Sequence, residues 1–194
     1  MKIEDIVELQ RSWCDSGSDA IRNGAREAVD MCSIKLGELG IELGQIVEIG
    51  PQYGFGMERW VEIGAHNPIG LELVPKFSDS CRDKGLTCLE ASAEEMDSLP
   101  EFSQGQKYNW YMRDTMEHFY DGPKALGNVL DRLDQWVYVS VPIEPEPGKD
   151  KAHLWRLESY QMVHDLFAGL NCVHEKYRPP SQKSGRLEAI WTTD

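Results

Sequence analysis

The chain has 194 residues, of which 41% are apolar and 27% charged, and its formal net charge is −13. A chain of this length folds by default as one domain with its own hydrophobic core. The surplus of acid opposes non-specific attraction to nucleic acid and to anionic lipid. No apolar run approaches the roughly 18 residues that span a bilayer. We therefore expect a protein that has neither a membrane nor a nucleic acid as its partner.

The start of the chain and its cysteines indicate a reducing compartment. Met1-Lys2-Ile3-Glu4-Asp5 is acidic and lacks the charged-then-apolar pattern of a secretion signal. The five cysteines are scattered and form no CxxC pair, which favours free thiols over a disulfide framework or a zinc site; they are Cys14, Cys32, Cys81, Cys88 and Cys172. A cytoplasmic location is the expectation.

Residues 1–44 carry helical periodicity interrupted by glycines. Two amphipathic pieces are predicted, one marked by Ile3, Ile6, Val7, Leu9 and Trp13, and one by Ile21, Ala25, Val29 and Cys32. The second piece is expected to end near Gly37 or Gly40. This segment is interpreted as an N-terminal cap or lid over residues 45–194, or alternatively as a cover for the edge of the sheet.

Short apolar runs alternate with helical patterns from residue 45 onward. Strands are predicted at 45–49, 68–73, 86–90, 107–112, 136–141, 171–177 and 187–192, and helices at 57–65, 75–84, 94–98, 122–133 and 158–169. This alternation predicts an α/β fold, a Rossmann-like open sheet that is mostly parallel with helices on both faces. No helix separates the last two strands, so they are expected to form an antiparallel pair. Residues 142–151 are predicted to be an exposed loop.

A glycine-rich turn follows the first predicted strand. Ile46-Val47-Glu48-Ile49-Gly50-Pro51-Gln52-Tyr53-Gly54-Phe55-Gly56 is typical of a strand–loop–helix unit that brings backbone close to a ligand. The dinucleotide pattern G-x-G-x-x-G fails from Gly50 and again from Gly54, and the Gly-Lys-Ser/Thr of a P-loop is absent. The loop therefore argues against a pyrophosphate ligand.

Glu72 lies at the end of the second predicted strand, about 20 residues after the glycine loop. An acid at this position can accept hydrogen bonds from both hydroxyls of a ribose, because a carboxylate offers two acceptor oxygens to a vicinal diol. A nucleoside without a diphosphate points towards S-adenosylmethionine.

Four ordered segments make the chain resemble a class I S-adenosylmethionine-dependent methyltransferase of the small-molecule and quinone-type subgroup. They are Glu48 to Gly54, Glu72, Ala91 to Met96, and Asp114 to Phe119, the last being similar to a Leu-Glu-His signature. The resemblance implies that the cofactor contacts Glu48, Gly50, Pro51, Gln52, Tyr53, Gly54, Gly56, Glu72, Leu73, Ser92, Ala93, Glu94 and Arg113. Gln52 departs from the pattern, because the family has glycine there.

Catalytic residues are harder to identify from sequence, because methyl transfer mainly requires alignment of the reacting atoms. Asp114, His118 and His153 are the candidates, with His118 as a general base near neutral pH. His118 could equally fasten the loop to the scaffold. Asp114, Glu117 and His118 form a cluster in which a helical turn would place Asp114 and His118 on one face. Two or three ligands at i, i+3 and i+4 are common by chance, so no metal site is predicted.

Three functions remain open at this point. The first is transfer of a methyl group to an O, N or C atom of a small-molecule acceptor. The second is a catalytically degenerate S-adenosylmethionine-binding regulatory or scaffold protein, which Gln52 suggests because it departs from the glycine of the family pattern. The third is an NAD-linked oxidoreductase, which the failed dinucleotide pattern disfavours. A homodimer is compatible with the sequence.

Overall fold

A computed structural model describes residues 19–102, 105–146, 151–180 and 185–193. Its seven strands are β1 (Ile46–Ile49), β2 (Ile69–Glu72), β3 (Thr87–Glu90), β4 (Tyr108–Arg113), β5 (Leu133–Ile143), β6 (Asn171–Arg178) and β7 (Gly185–Thr192). The α-helices are α1 (Asp19–Glu38), α2 (Phe55–Glu62), α3 (Pro75–Asp83), α4 (Gly122–Asp131) and α5 (Tyr160–Leu166). Short 3₁₀ helices cover Ala93–Ser98, Pro100–Phe102 and Met116–His118.

The strands form one sheet in the order β3-β2-β1-β4-β5-β7-β6. Strands β1 to β5 pair in parallel, whereas β7 pairs antiparallel with both β5 and β6. The predicted Rossmann-like open sheet with an antiparallel terminal strand is confirmed. The last strand of the chain does not form the edge of the sheet, because it lies between β5 and β6.

Both faces of the sheet are covered, as the alternation of side chains along β4 shows. Trp110 and Met112 pack into a core on one face with α4 and α5. Tyr111 packs on the other face against Trp60 of α2. Since successive side chains of a strand point to opposite faces, a strand buried on both sides reads as the nearly continuous apolar run seen in the sequence.

Helix α1 packs on the same face as α2. Val29, Cys32 and Leu36 are fully buried in that core, and the Arg59 guanidinium pairs with Asp30 across the two helices at 2.6 Å. The first predicted amphipathic piece, with Trp13, lies in residues 1–18 and so outside the described residues. The role of residues 1–44 as a cap remains a prediction. Within the described ranges, no helix is long and apolar enough to cross a membrane.

Several predicted boundaries shift for identifiable reasons. Strand β5 starts three residues earlier than predicted, because the Asn109 side chain accepts hydrogen bonds from the backbone N–H groups of Gln135 and Trp136 where the β4–β5 register shifts. The prediction of an exposed loop from residue 142 is wrong at its start, since Pro142 and Ile143 are buried in β5. Helix α5 is shorter than predicted and is capped by Ser159.

Candidate functional site

The loop between β1 and α2 adopts a left-handed backbone at three positions. Gly50 has a φ of 72°, Gln52 of 49° and Gly54 of 77°. The left-handed region is unfavourable for residues other than glycine. This steric cost explains why the family pattern has glycine at the position that Gln52 occupies here. Gly50 also packs against Thr115, because a Cβ added to Gly50 would lie only 2.6 Å from Thr115 Oγ1. The loop is thereby held close to the end of β4.

A cleft, here called the main cleft, opens at the carboxyl ends of β1, β2, β3 and β4. It encloses about 740 Å³ including space open to solvent, which falls in the range of roughly 300–1,000 Å³ typical of small-molecule sites. Its lining residues are Ile49, Gly50, Gln52, Leu71, Glu72, Leu73, Phe77, Ala91, Ser92, Ala93, Glu94, Asp114, Thr115, His118, Phe119 and Tyr120. Nine of these residues are predicted from the sequence to contact the cofactor or to act in catalysis, and the fold brings them together here: Gly50, Gln52, Glu72, Leu73, Ser92, Ala93, Glu94, Asp114 and His118.

Glu72 is a deeply buried acid of the main cleft, with 4% of its surface exposed. Its carboxylate accepts hydrogen bonds from the backbone N–H groups of Gln52 at 3.0 Å and Val74 at 2.9 Å. Burial raises the pKa of Glu72 to about 7, while these backbone donors oppose the shift. The acid therefore joins the glycine loop to the end of β2 and also lines the space where a ribose was predicted.

The segment after β3 forms the opposite wall of the main cleft. Ser92 caps the 3₁₀ helix by accepting from the Glu94 N–H at 3.3 Å and donating to the Glu94 carboxylate. The other carboxylate oxygen of Glu94 accepts from the backbone N–H groups of Tyr120 and Asp121. Ser92 thus has a capping role in addition to lining the main cleft. Glu94 thus fixes the far rim of the cleft.

A second space, here called the side cavity, lies between the glycine loop and α1. Its lining residues are Ile21, Ala25, Glu48, Gly50, Pro51, Gln52, Tyr53, Phe55, Tyr111, Arg113 and Asp114. Gly50, Gln52 and Asp114 line both spaces, so the two meet at these three residues. The predicted residues Glu48, Pro51, Tyr53 and Arg113 belong to this second space and not to the main cleft.

Glu48 is a buried acid in the side cavity. Its Oε2 has no hydrogen-bond partner among the described residues. Burial raises the pKa of Glu48 to about 8, against the effect of the Arg113 guanidinium and with that of the Glu72 charge. Gly56 lies beneath the carboxylate, where an added Cβ would be 2.5 Å from Glu48 Oε1. Gly56 therefore makes space for the acid and does not itself line either space.

Gly54 also lies outside both spaces. It precedes α2 and packs on Cys81 and Leu86, where an added Cβ would lie 2.9 Å from the Cys81 sulfur. Tyr53 packs edge-on against Phe77 of the main cleft at 4.9 Å between ring centroids. Contact of Gly54 and Tyr53 with the cofactor stays a prediction. In the structure both residues pack the glycine loop against neighbouring residues.

Asp114 directly follows β4 and has a φ of 52°. A non-glycine residue in this region is strained, and such strain concentrates at functional sites. Its carboxylate pairs with the Arg186 guanidinium, which also donates to the Ser140 hydroxyl at 2.7 Å. Arg186 comes from β7, and no sequence pattern marked it. Asp114 is therefore engaged by a cation from a strand 72 residues away.

His118 and His153 lie side by side next to the main cleft, with ring centroids 5.1 Å apart. His118 Nδ1 donates to the Ala152 carbonyl oxygen at 2.9 Å, and His153 Nδ1 pairs with the Glu144 carboxylate at 2.9 Å. The alternative in which His118 fastens the loop is thus supported by one of its two nitrogens. Glu117 precedes His118 in the chain, and burial together with the charge of Asp114 raises the pKa of Glu117 to about 8.

Sequence reasoning missed several residues of the site. Thr115 hydrogen-bonds the Ile49 carbonyl oxygen at 2.9 Å and joins the ends of β1 and β4. Phe77, Phe119 and Tyr120 supply the aromatic lining of the main cleft. Thr115 and Phe119 stand inside the quoted Asp114 to Phe119 segment and could have been found there, whereas Phe77 and Tyr120 carry no signal in the sequence.

The fold is shared with solved methyltransferase structures. A protein from Galdieria sulphuraria described as a sarcosine dimethylglycine methyltransferase superimposes with a TM-score of 0.70 at 13% identity, covering 87% of this chain and 86% of that one. Magnesium protoporphyrin IX methyltransferase from Synechocystis PCC 6803, solved with S-adenosylhomocysteine, gives 0.66 at 13% identity with 95% and 92% coverage. The N-methyltransferase NodS from Bradyrhizobium japonicum WM9, also with S-adenosylhomocysteine, gives 0.66 at 12% identity with 98% and 95% coverage.

No family model matches the sequence, and the comparison with curated proteins finds no match. At these identities the likeness establishes architecture. The resemblance stated from the four ordered segments is confirmed at that level: the chain has the fold of class I S-adenosylmethionine-dependent methyltransferases.

Proposed function

We propose that this protein binds S-adenosylmethionine and transfers its methyl group to an O, N or C atom of a small-molecule acceptor. The observation that carries the proposal is the pairing of two spaces around one glycine loop, each with a buried acid, Glu72 in the main cleft and Glu48 in the side cavity. The cofactor has two ends of matching chemistry, a ribose diol and an amino-acid ammonium.

The donor set fits this cofactor. Glu72 would accept from the ribose hydroxyls, and the apolar and aromatic walls formed by Leu73, Ala93 and Phe77 would hold the base. Glu48 Oε2 is buried and has no hydrogen-bond partner in the described part of the chain, and an unsatisfied buried acceptor is costly unless a ligand donates to it. Arg113 in the same cavity offers a cation for a carboxylate.

When bound, the cofactor would supply an electrophilic methyl group on its sulfonium: the acceptor atom would bond to the methyl carbon as the carbon–sulfur bond breaks, and S-adenosylhomocysteine would leave. The chain's own contribution is to hold the reactants in alignment and to exclude water. Gly50, Gln52 and Asp114 line both spaces and so surround the junction between the two ends of the ligand. His118, at the rim of the main cleft, is placed to accept a proton from an acceptor hydroxyl or amine.

The experiment that tests the proposal is calorimetric titration of the purified protein with S-adenosylhomocysteine and, separately, with NAD. Binding of the first without the second is expected. Saturable binding of NAD in the absence of S-adenosylhomocysteine binding would contradict the proposal and restore the oxidoreductase alternative.

A binding protein without turnover remains the second candidate, because Gln52 occupies a left-handed position that the family fills with glycine. Methyl transfer to a pool of small-molecule acceptors, followed with labelled S-adenosylmethionine, separates the two functions. Labelled product supports the enzyme; tight binding with no product from any pool supports the regulatory or scaffold protein.

A further inference from the structure

Three side chains with metal-binding atoms converge beside the main cleft. Glu117 and His118 come from the 3₁₀ turn after β4, and His153 comes from the segment that follows β5. One candidate ligand atom from each lies within 4.8 Å of the other two. Two imidazoles and a carboxylate at this separation are a typical set of protein ligands for a catalytic metal ion.

The hydrogen bonds of the two histidines set their tautomers. His118 Nδ1 must be the protonated nitrogen, since its partner, the Ala152 carbonyl oxygen, can only accept. His153 Nδ1 has the Glu144 carboxylate as its partner at 2.9 Å. With Nδ1 as the donor, a neutral imidazole carries its lone pair on Nε2, the atom that then ligates a metal. A histidine whose Nδ1 donates to a carboxylate or a backbone carbonyl is the usual arrangement around metal ions.

Glu117 supplies an independent sign of a ligand. The residue is 3% exposed, and its Oε2 has no hydrogen-bond partner among the described residues. A buried carboxylate oxygen without a partner is unfavourable, and a cation is the group that compensates for it most effectively. Without a cation, an apolar or amide side chain would suit the position of Glu117 better than a carboxylate.

The three ligand positions are held in a rigid frame. The Trp155 backbone N–H donates to the Glu117 carbonyl oxygen at 3.1 Å, which fixes the His153 segment to the turn that carries Glu117. The Trp155 ring also covers Gly122 so closely that an added Cβ would lie 2.0 Å from it. Pre-organisation of this kind reduces the cost of assembling a metal site from distant parts of the chain.

We propose that Glu117, His118 and His153 bind one divalent transition-metal ion at the rim of the main cleft. Metal–ligand bonds of about 2 Å place ligand atoms roughly 3.4 Å apart around a tetrahedral ion, so small side-chain rotations bring the three atoms onto one centre. Three protein ligands leave a coordination position open. Because His118 also lines the main cleft, that position would hold a water molecule or an oxygen of the acceptor.

Metal binding itself does not require the proposed methyl transfer; only the role of the ion in holding the acceptor does. His118 Nε2 is a ligand when the ion is bound, so the general-base role proposed above for His118 applies to the protein without the ion. No metal is predicted from the sequence, because ligands at the spacing of Asp114, Glu117 and His118 are common by chance and no pattern places His153 beside them. In the structure Asp114 is instead paired with Arg186, and Glu117 takes its place in the set.

The test is equilibrium dialysis of the metal-stripped, full-length protein against Zn²⁺, with bound zinc counted by mass spectrometry. A second group of donors, His164, Cys172 and Glu175, is removed as a source of zinc by using a Cys172→Ser background throughout. In that background we expect one zinc ion per chain. Glu117→Gln and His153→Asn should each weaken binding at least tenfold, and Glu144→Gln should weaken it less. His66→Asn, at an exposed histidine outside the group, is the matched control.

Binding of Co²⁺ in place of Zn²⁺ gives a second readout, which a cluster of side chains that binds no metal would not produce. Visible absorption bands of bound Co²⁺ are expected in the Cys172→Ser protein and in the His66→Asn control, and should be lost in Glu117→Gln. Thermal unfolding of each variant identifies any that fail to fold. Zinc stoichiometry and cobalt bands that are the same in folded Glu117→Gln and His153→Asn as in the control would overturn the proposal, as would a protein that binds no zinc. Failure of this test leaves S-adenosylhomocysteine binding untouched, so the two proposals fail separately.

Discussion

The carboxylate of Glu72, at the end of β2, accepts a hydrogen bond from the backbone N–H of Gln52 at 3.0 Å, and so ties the glycine loop to the neighbouring strand. The same carboxylate lines the main cleft. One acid therefore positions the loop and faces the ligand, which explains why a strand-end glutamate is buried despite the cost of desolvation. It also means that its removal should affect both the loop and the affinity for a nucleoside.

Replacing Glu72 with alanine is expected to weaken S-adenosylhomocysteine binding by about 1–3 kcal/mol, the usual cost of losing hydrogen bonds to a charged group. The measurement is calorimetric titration at pH 8. The matched control is Glu90→Ala, because Glu90 is the register partner of Glu72 on β3 and is exposed. Equal affinities of the two variants would mean that Glu72 does not contact the ligand.

Gly56 and Gly127 provide a matched pair of helical glycines. Gly56→Ala should destabilise the protein, since its Cβ would lie 2.5 Å from Glu48 Oε1 and push the buried carboxylate out of place. The Cβ of Gly127→Ala in α4 meets no atom of the described residues within 4 Å, and this substitution should stabilise the protein by roughly 0.5–1 kcal/mol through helix propensity. Urea unfolding measures both. A Gly56→Ala protein as stable as Gly127→Ala would show that the carboxylate is not packed as described.

The buried acid Glu48 predicts how stability depends on pH. Its folded pKa of about 8 lies above the ordinary value of 4.5, so its contribution is fully present below pH 4.5 and is lost as the pH rises through 8. One pKa unit corresponds to about 1.4 kcal/mol, and the loss from this residue alone should reach a few kcal/mol. Arg113 and Glu72 are the charged groups that act on it most strongly.

Unfolding free energies measured from pH 5 to pH 8.5 test this dependence. Glu48→Gln mimics the protonated acid and should flatten the decline relative to the wild type, whereas the exposed Glu42→Gln should not. Identical slopes for Glu48→Gln and the wild type would mean that Glu48 ionises normally in the folded protein.

The ion pair between Asp114 and Arg186 should couple β7 to the turn after β4. A double-mutant cycle with Asp114→Asn and Arg186→Gln is expected to give a coupling energy of about 1 kcal/mol. Asparagine suits this test because it tolerates the left-handed backbone of position 114. The exposed pair Lys35–Glu38 should give only about 0.3 kcal/mol. Coupling at 114–186 no larger than in that helix pair would contradict the arrangement.

The sequence was sufficient for those parts of the molecule that local patterns determine. Strand ends, the glycine loop and the acid at position 72 follow from apolar runs and turn residues, and β1 to β4 lie within one or two residues of their predicted bounds. Long-range pairing could not be derived in this way. Arg186 reaches Asp114 only because β7 inserts between β5 and β6, and no periodicity specifies the order of strands.

The arrangement of the site also depends on long-range contacts. Glu48 and Glu72 are both predicted to contact one cofactor, and in the structure they lie in adjoining spaces that meet at Gly50, Gln52 and Asp114. His153 approaches His118 because Ala152 and Trp155 hydrogen-bond the turn that carries it. These contacts join residues more than 30 positions apart, where sequence spacing carries no information about distance.

The central claim is most directly tested by a crystal structure of the protein grown with S-adenosylhomocysteine. The account predicts the adenosine in the main cleft, with its ribose hydroxyls within about 3 Å of the Glu72 carboxylate, and the amino group of the ligand in the side cavity beside Glu48. Electron density for the ligand elsewhere on the protein, or a main cleft closed by the Gln52 side chain while the ligand is present in excess, would contradict it.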